Sequence, residues 1–165
     1  MTPFAHVTVL AAEAVAALAP RDGGVYVDCT LGGGGHAEGL LQAADCRVIG
    51  LDRDPNALRA ANARLAGFGG RFQSVHARFS ELGPVLAGLG LDGVDGVLAD
   101  LGVSSPQLDQ PERGFSFRTP GPIDMRMDPT AGVSAAELVN SADQDELADW
   151  IYLYGEERAA RRVAR

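Results

Sequence analysis

Lysine is absent, and all 14 basic residues are arginine. Walker-type NTPases and Schiff-base enzymes both need an ammonium group, so neither chemistry fits this chain. Cysteine is scarce: Cys29 and Cys46 form no CxxC pair, which argues against a redox dithiol and leaves two buried free thiols as the expectation. No His, Cys, Asp and Glu cluster has metal-ligand spacing, so no metal is expected. A run of about 18 apolar residues is also missing, and with it any membrane-spanning helix. Met1 to Leu10 carries Pro3 and His6 and lacks the basic-then-apolar order of a secretion signal, which points to a cytoplasmic chain without a membrane partner. There is no excess of positive charge: 14 Arg stand against 22 Asp plus Glu, a net charge of −8. Sequence-independent nucleic-acid binding needs clustered cations, so an RNA partner must meet a local basic patch.

Glycine, by contrast, is abundant at 21 of 165 residues, roughly twice ordinary usage. Hydrophobic residues make up 46%, enough for a sizeable core. Val9 to Leu18 reads as a short helix stopped by Pro20. Val25 to Cys29 is a buried strand bounded by glycines, and a helix from His36 to Ala44 follows. Arg47 to Leu51 is a second strand ending in Asp52. Asp54 and Pro55 supply the N-cap and first position of a helix to about Ala66, halted by Gly67, Gly69 and Gly70. Arg71 to His76 is a third strand, Ser80 caps a helix over Glu81 to Leu89, and Val94 to Ala99 is a fourth strand ending at Asp100. Such alternation predicts an α/β fold, a parallel sheet flanked by helices, with ligands at the carboxyl ends of the strands. Leu101 to Val133 shows no periodicity and holds five prolines, Pro106, Pro111, Pro120, Pro122 and Pro129. Two helices then open at capping boxes, Ser134 to Glu137 and, in looser form, Asp143 to Glu146. Leu147, Trp150, Ile151 and Tyr154 form an apolar stripe on the second.

Gly32, Gly34 and Ala37 satisfy GxGxxG/A directly after a strand, and Asp52 follows about 20 residues later at the end of the next strand. Glycines let a backbone approach a ligand closely, the helix start offers N–H groups to an anion, and the carboxylate accepts from two ribose hydroxyls. This favours a nucleoside cofactor over a tight turn with a surface acid. Both NAD and S-adenosylmethionine offer a ribose. Asp28 tolerates the cationic methyl donor better than a pyrophosphate, which tilts the reading towards the former. His36 opens the helix, where it serves either as a ligand contact or as a cap. Asp100 and its polar loop lie beside the glycine turn and offer acceptors for an amine.

Seven strings carry a specific resemblance: His6-Val-Thr-Val-Leu10, Asp28-Cys-Thr-Leu-Gly-Gly-Gly-Gly-His36, Asp52-Arg-Asp-Pro55, Asp100-Leu-Gly-Val-Ser-Ser-Pro-Gln-Leu-Asp109, Glu112-Arg-Gly-Phe-Ser-Phe117, Asp124-Met-Arg-Met-Asp128 and Tyr154-Gly-Glu-Glu-Arg158. Together they resemble the bacterial 16S ribosomal RNA (cytosine-N4)-methyltransferase family, RsmH/MraW, nearly end to end. The resemblance implies a Rossmann-like core that uses S-adenosylmethionine to methylate the N4 amine of a cytidine in the decoding region of the small subunit's 16S rRNA. By matching position it implies cofactor contacts at Gly34, Gly35, His36, Asp52, Phe79, Asp100 and Gln107, with Asp100 also catalytic. On its own, Phe79 reads as an ordinary core aromatic. Family members are roughly twice as long. The expected division is therefore a cofactor-binding core over 1–112, lacking the later strands, and the start of a helical substrate-recognition lobe over 113–165.

Arg113, Arg118 and Arg126, interleaved with Phe115 and Phe117, suit phosphates and unpaired bases and are the candidate RNA contacts. Arg158, Arg161, Arg162 and Arg165 share one face of a predicted helix, for RNA phosphates or for solvent. Two other readings stay open: a cofactor-binding fragment without catalysis, and an NAD-dependent oxidoreductase. The oligomeric state, a homodimer included, is not fixed by sequence.

Overall fold

The computed structural model describes residues 8–165. The leader reading of Met1 to Leu10 and the His6 start of the first matching string lie wholly or partly outside the described residues. The chain forms two compact units, Met1–Asp109 and Gln110–Arg165.

The first unit is a parallel sheet in the order β3-β2-β1-β4. Its strands are β1 (Val25–Asp28), β2 (Arg47–Asp52), β3 (Phe72–His76) and β4 (Gly96–Leu98). The helices are α1 (Ala11–Leu18), α2 (Gly35–Ala43), α3 (Pro55–Leu65), α4 (Leu82–Gly88) and a single turn α5 (Ser105–Asp109). The topology explains which face each helix covers. β1 to β2 to β3 steps one way across the sheet, so right-handed crossovers put α2 and α3 on one face; the return from β3 to β4 puts α4 on the other. Strand alternation follows suit. Tyr26 and Val48 pack with Leu40, Leu41, Ala61 and Leu65 on the first face, with α1 also resting there through Val15 and Leu18. Val27, Cys29, Ile49 and Leu51 point the opposite way, onto Leu82, Val85 and Leu86 of α4. Both cysteines are free and buried, as expected.

The order in which strands are added reverses between β1 and β4, and crevices at such switch points take ligands. β4 pairs with β1 alone among the described residues, and Val97 on it is 47% exposed. That strand spans three residues where the sequence predicts six: at one flank the Val25 N–H donates to the Asp95 carboxylate instead of a backbone carbonyl, and at the other the Asp100 N–H goes to Thr30 Oγ1.

Several local expectations need correction. Ser80 does not cap α4: it sits inside a 3-10 turn, Phe79–Glu81, closed by the Glu81 carboxylate accepting from the Arg78 N–H at 2.7 Å. The region after β4 is not wholly irregular, since Ser104 accepts from the Gln107 and Leu108 N–H groups and winds α5.

In the second unit, α6 (Ala135–Ser141) begins with the expected capping box: the Ser134 N–H donates to Glu137 Oε2 at 2.8 Å and the Glu137 N–H to Ser134 Oγ at 3.2 Å. The looser box fails. Asp143 precedes α7 (Gln144–Gly155), but its side chain accepts no capping hydrogen bond. On α7 the apolar stripe is half-buried at Leu147, Trp150 and Ile151, whereas Tyr154 is exposed. α7 ends where Glu156 adopts a left-handed conformation (φ 53), and α8 spans only Ala160–Val163. The four C-terminal arginines are therefore exposed but do not share one continuous helical face. No helix of the described residues is long and apolar enough to cross a membrane.

Candidate functional site

The carboxyl ends of β1, β2 and β4 bring three carboxylates round the glycine turn. Asp28 ends β1 and is fully buried; its Oδ1 accepts from the Thr30 N–H at 3.1 Å. Its Oδ2 is buried without a hydrogen-bond partner. Burial pushes the carboxyl up to about 6, against partial relief from the Thr30 N–H and His36, while Asp52 and Asp100 push it further up. An orphaned buried carboxylate oxygen is costly, and a site that retains one has a use for it.

Asp52 ends β2 and is half-buried. Its Oδ2 accepts from the Gly32 N–H at 2.8 Å and its Oδ1 from the Asp54 N–H at 2.9 Å. The acid and the glycine turn are thus one hydrogen-bonded unit. Burial raises the Asp52 pKa and these backbone donors oppose the rise. A carboxylate has about four lone-pair sites, so acceptor capacity remains for a ligand's hydroxyl.

The turn depends on glycine at two points. Gly32 and Gly34 hold φ of +50° and +80°, a region that strains other residues. A Cβ on Gly34 would also stand 3.0 Å from Leu65 Cδ1 and 3.3 Å from the Ala61 Cβ, so this glycine lets the turn lie directly on α3. Gly35 starts α2, and His36 follows with its Nε2 3.0 Å from the Val9 carbonyl oxygen. That contact uses the ring to tie the chain before α1 to α2.

Asp100 follows β4 with an exposed side chain, while its N–H donates to Thr30 Oγ1 at 2.7 Å. Gln107 is buried, and both ends of its amide meet protein: Oε1 accepts from the Ser104 N–H at 2.9 Å, and Nε2 lies 3.4 Å from Asp54 Oδ2. Asp54 also caps α3 by accepting from the Asn56 N–H at 2.9 Å. Phe79, after β3, is 56% exposed, which suits a wall for a flat ligand better than a core position. Sequence reasoning missed Thr30 and the Asp54 link to Gln107. A hydroxyl two residues past a strand-ending acid was the available signal for the first; the second, between positions 53 residues apart, left none.

Within the second unit, Arg113 is buried. Its Nη2 donates to the Arg126 carbonyl at 3.1 Å and the Met127 carbonyl at 2.9 Å, and the guanidinium lies 6.0 Å from the Phe115 ring centroid. Arg126 forks onto Asp124, with Nη2 to Oδ2 at 2.7 Å and Nε to Oδ1 at 3.0 Å, and Arg126 holds the Asp124 carboxyl below its ordinary value. Arg118 is exposed, next to a Phe117 that is 99% exposed. No metal-holding cluster of three His, Cys, Asp or Glu occurs among the described residues.

Residues 3–165 match the model of a family described as the MraW methylase family. The chain is 58% identical over 160 residues to a ribosomal RNA small subunit methyltransferase H of Sorangium cellulosum, covering 97% of this chain and 51% of that protein. Its counterpart in Carboxydothermus hydrogenoformans is 56% identical over 162 residues, 98% of this chain and 52% of that one. The chain spans about half the length of the curated relatives it matches. Among solved structures, a SAM-dependent O-methyltransferase from Thermotoga maritima aligns with a TM-score of 0.48 at 18% identity, over 59% of this chain and 37% of that one, a likeness too low to assign anything.

Proposed function

The chain belongs to the MraW methylase family, and from that membership we propose that it is the cofactor-binding part of an S-adenosylmethionine-dependent methyltransferase. The substrate is 16S ribosomal RNA in the small subunit, and the acceptor is the N4 amine of a cytidine. The observation that carries this reading is the pairing of Asp52 with the Gly32 N–H beside the orphaned Asp28 oxygen. A ligand with vicinal hydroxyls and a nearby cation satisfies both; a pyrophosphate would meet the buried Asp28 carboxylate and be repelled. The curated relatives, named as small-subunit rRNA methyltransferases, support the substrate class.

S-adenosylmethionine supplies an electrophilic methyl group on a sulfonium. Asp52 would hold the ribose hydroxyls with the acceptor capacity its backbone donors leave open. Gly34 and Gly35 would let the amino-acid tail approach the backbone, the buried Asp28 beneath the turn would supply the negative charge for its ammonium, and Phe79 would give the adenine a flat wall. The cytosine amine is a poor nucleophile because its lone pair is delocalised into the ring. Asp100 and its loop carbonyls accept the amine N–H groups and hold the nitrogen in line, an orientation effect rather than covalent catalysis. Cys29 takes no part: its thiol is buried, and burial pushes its pKa up. The target cytidine must be unstacked to reach such a site. In the 113–165 segment, read as the start of the substrate-recognition lobe, Arg118 and Phe117 offer a phosphate contact and a stacking face, while Arg113 and Arg126 shape the loop that presents them.

One observation favours a second reading, a chain that binds cofactor without transferring methyl: β4 pairs with β1 alone among the described residues. Two measurements decide. Calorimetry with S-adenosylhomocysteine and NAD is expected to show binding of the former alone; NAD binding without a response to the homocysteine compound overturns both readings. Tritiated-methyl transfer to small subunits lacking the modification, mapped to a cytidine N4, establishes the first, and cofactor binding without transfer establishes the second.

A further inference from the structure

β1 and β4 run parallel in a register that pairs Asp28 with Leu98, and the Cys29 N–H donates to the Leu98 carbonyl at 2.8 Å. The next rung of a parallel ladder would take the Asp100 N–H to the Cys29 carbonyl. It goes instead to Thr30 Oγ1, at 2.7 Å. The strands have begun to splay at this rung, as β1 turns into the glycine bend, and a side chain has replaced a backbone acceptor. Thr30 is itself fixed from the other side, because its N–H donates to Asp28 Oδ1 at 3.1 Å. One residue therefore ties the buried acid of β1 to the exposed acid after β4.

We infer that Thr30 is a positioning residue for methyl transfer: its hydroxyl sets the backbone at Asp100, and through it the acceptors that hold the amine. The inference rests on the function proposed above. Only the hydroxyl is needed for this role, since the bond to Asp28 uses the Thr30 backbone and survives any side chain. Valine keeps the shape and loses the acceptor, leaving the Asp100 N–H without its partner; serine keeps the acceptor.

The test compares Thr30→Val and Thr30→Ser with the parent chain by amide hydrogen exchange at Asp100, calorimetry with S-adenosylhomocysteine, and methyl transfer to small subunits lacking the modification. The bond lies at an exposed position, so its loss costs the ordinary net value of a hydrogen bond, a factor of up to about ten. The valine variant is expected to exchange about tenfold faster at Asp100 and to lose about tenfold in kcat. Its cofactor affinity should stay within about threefold, and serine should restore both losses. Unchanged protection at Asp100 in the valine variant overturns the inference. So does a serine variant as impaired as valine, or a loss that appears equally in cofactor affinity and kcat, which would mark a general disturbance of the turn. A parent chain that binds no S-adenosylhomocysteine defeats the functional reading instead, and the exchange result still decides whether Thr30 sets Asp100.

Discussion

Replacing Asp28 with asparagine separates the cost of the buried carboxylate from its use. The folded carboxyl titrates at about 6 against an ordinary 3.8. That difference of roughly two units corresponds to about 3 kcal/mol between charged and neutral forms. The folded value lies above the unfolded one, so the folded state holds the proton more tightly. The stabilising effect of protonation is therefore full below pH 4, declines as pH rises from about 4 to 6, and is gone above. At pH 8 the native chain carries the whole cost of a buried, half-partnered charge; Asp28→Asn does not. Asparagine keeps the acceptor for the Thr30 N–H and removes the charge. In a chain of this size about 3 kcal/mol moves the melting temperature by roughly 6 to 12 °C, so the variant should melt several degrees higher at pH 8 and within a degree or two of the parent at pH 4.

On the proposed reading, the same substitution also removes the partner of the ligand's ammonium. A hydrogen bond to a charged group contributes about 1.5 to 3 kcal/mol, so affinity for S-adenosylmethionine should fall at least about tenfold. Affinity for methylthioadenosine, which lacks the amino-acid tail, should hold. A bound cation also lowers the Asp28 pKa, so binding near pH 6 should release up to about half a proton. Calorimetry in buffers of different ionisation enthalpy reads that release, which should vanish at pH 8. An Asp28→Asn variant that is less stable at both pH values, or that binds both ligands like the parent, would refute the reasoning.

Asp52 makes the complementary case: Asp52→Ala should weaken S-adenosylmethionine and methylthioadenosine alike, each by at least about tenfold, since both carry the ribose; a selective loss would contradict its role. Gly34→Ala should cost about 1 to 2 kcal/mol for the left-handed backbone alone and more for the contact with Leu65, lowering the melting temperature by several degrees. Arg113→Met strips the Arg126 and Met127 carbonyls of a charged donor and should destabilise the second unit by about 2 to 3 kcal/mol, read by denaturant unfolding followed at Trp150. Arg118→Ala should leave unfolding unchanged while reducing the salt dependence of binding to a single-stranded rRNA fragment by about one counterion; an unaltered salt slope would remove Arg118 from the RNA surface.

The sheet was legible because its signals are local. Val25 to Asp28 and Arg47 to Asp52 are β-branched or apolar runs punctuated by glycine and by Asp54-Pro55, and the structure places strands and the α3 cap accordingly. The glycine turn and Asp52 were legible for the same reason, each sitting at a strand's end with a spacing that a βαβ unit dictates. The burial of Asp28 followed less directly: a parallel strand covered on both faces must bury even its last side chain. What sequence left open was where each polar group spends its hydrogen bonds. Ser80 reads as a cap by type, yet Glu81 reaches back to the Arg78 N–H and claims that turn.

Arg113 shows the physical reason most clearly. In sequence it is one of three arginines spaced among phenylalanines, and nothing distinguishes it from Arg118. In the folded loop, Gly114 turns with φ +72° and a Cβ there would collide with the Pro122 carbonyl, so the chain doubles back tightly on itself. A loop that compact buries carbonyls that no strand or helix can satisfy. A guanidinium is the side chain best able to satisfy two at once, and Arg113 does so for residues 126 and 127. The charge that sequence reads as outward-facing is consumed by the loop's own backbone, and the side chains that stay exposed, Arg118 and Phe117 among them, are those that the backbone does not need.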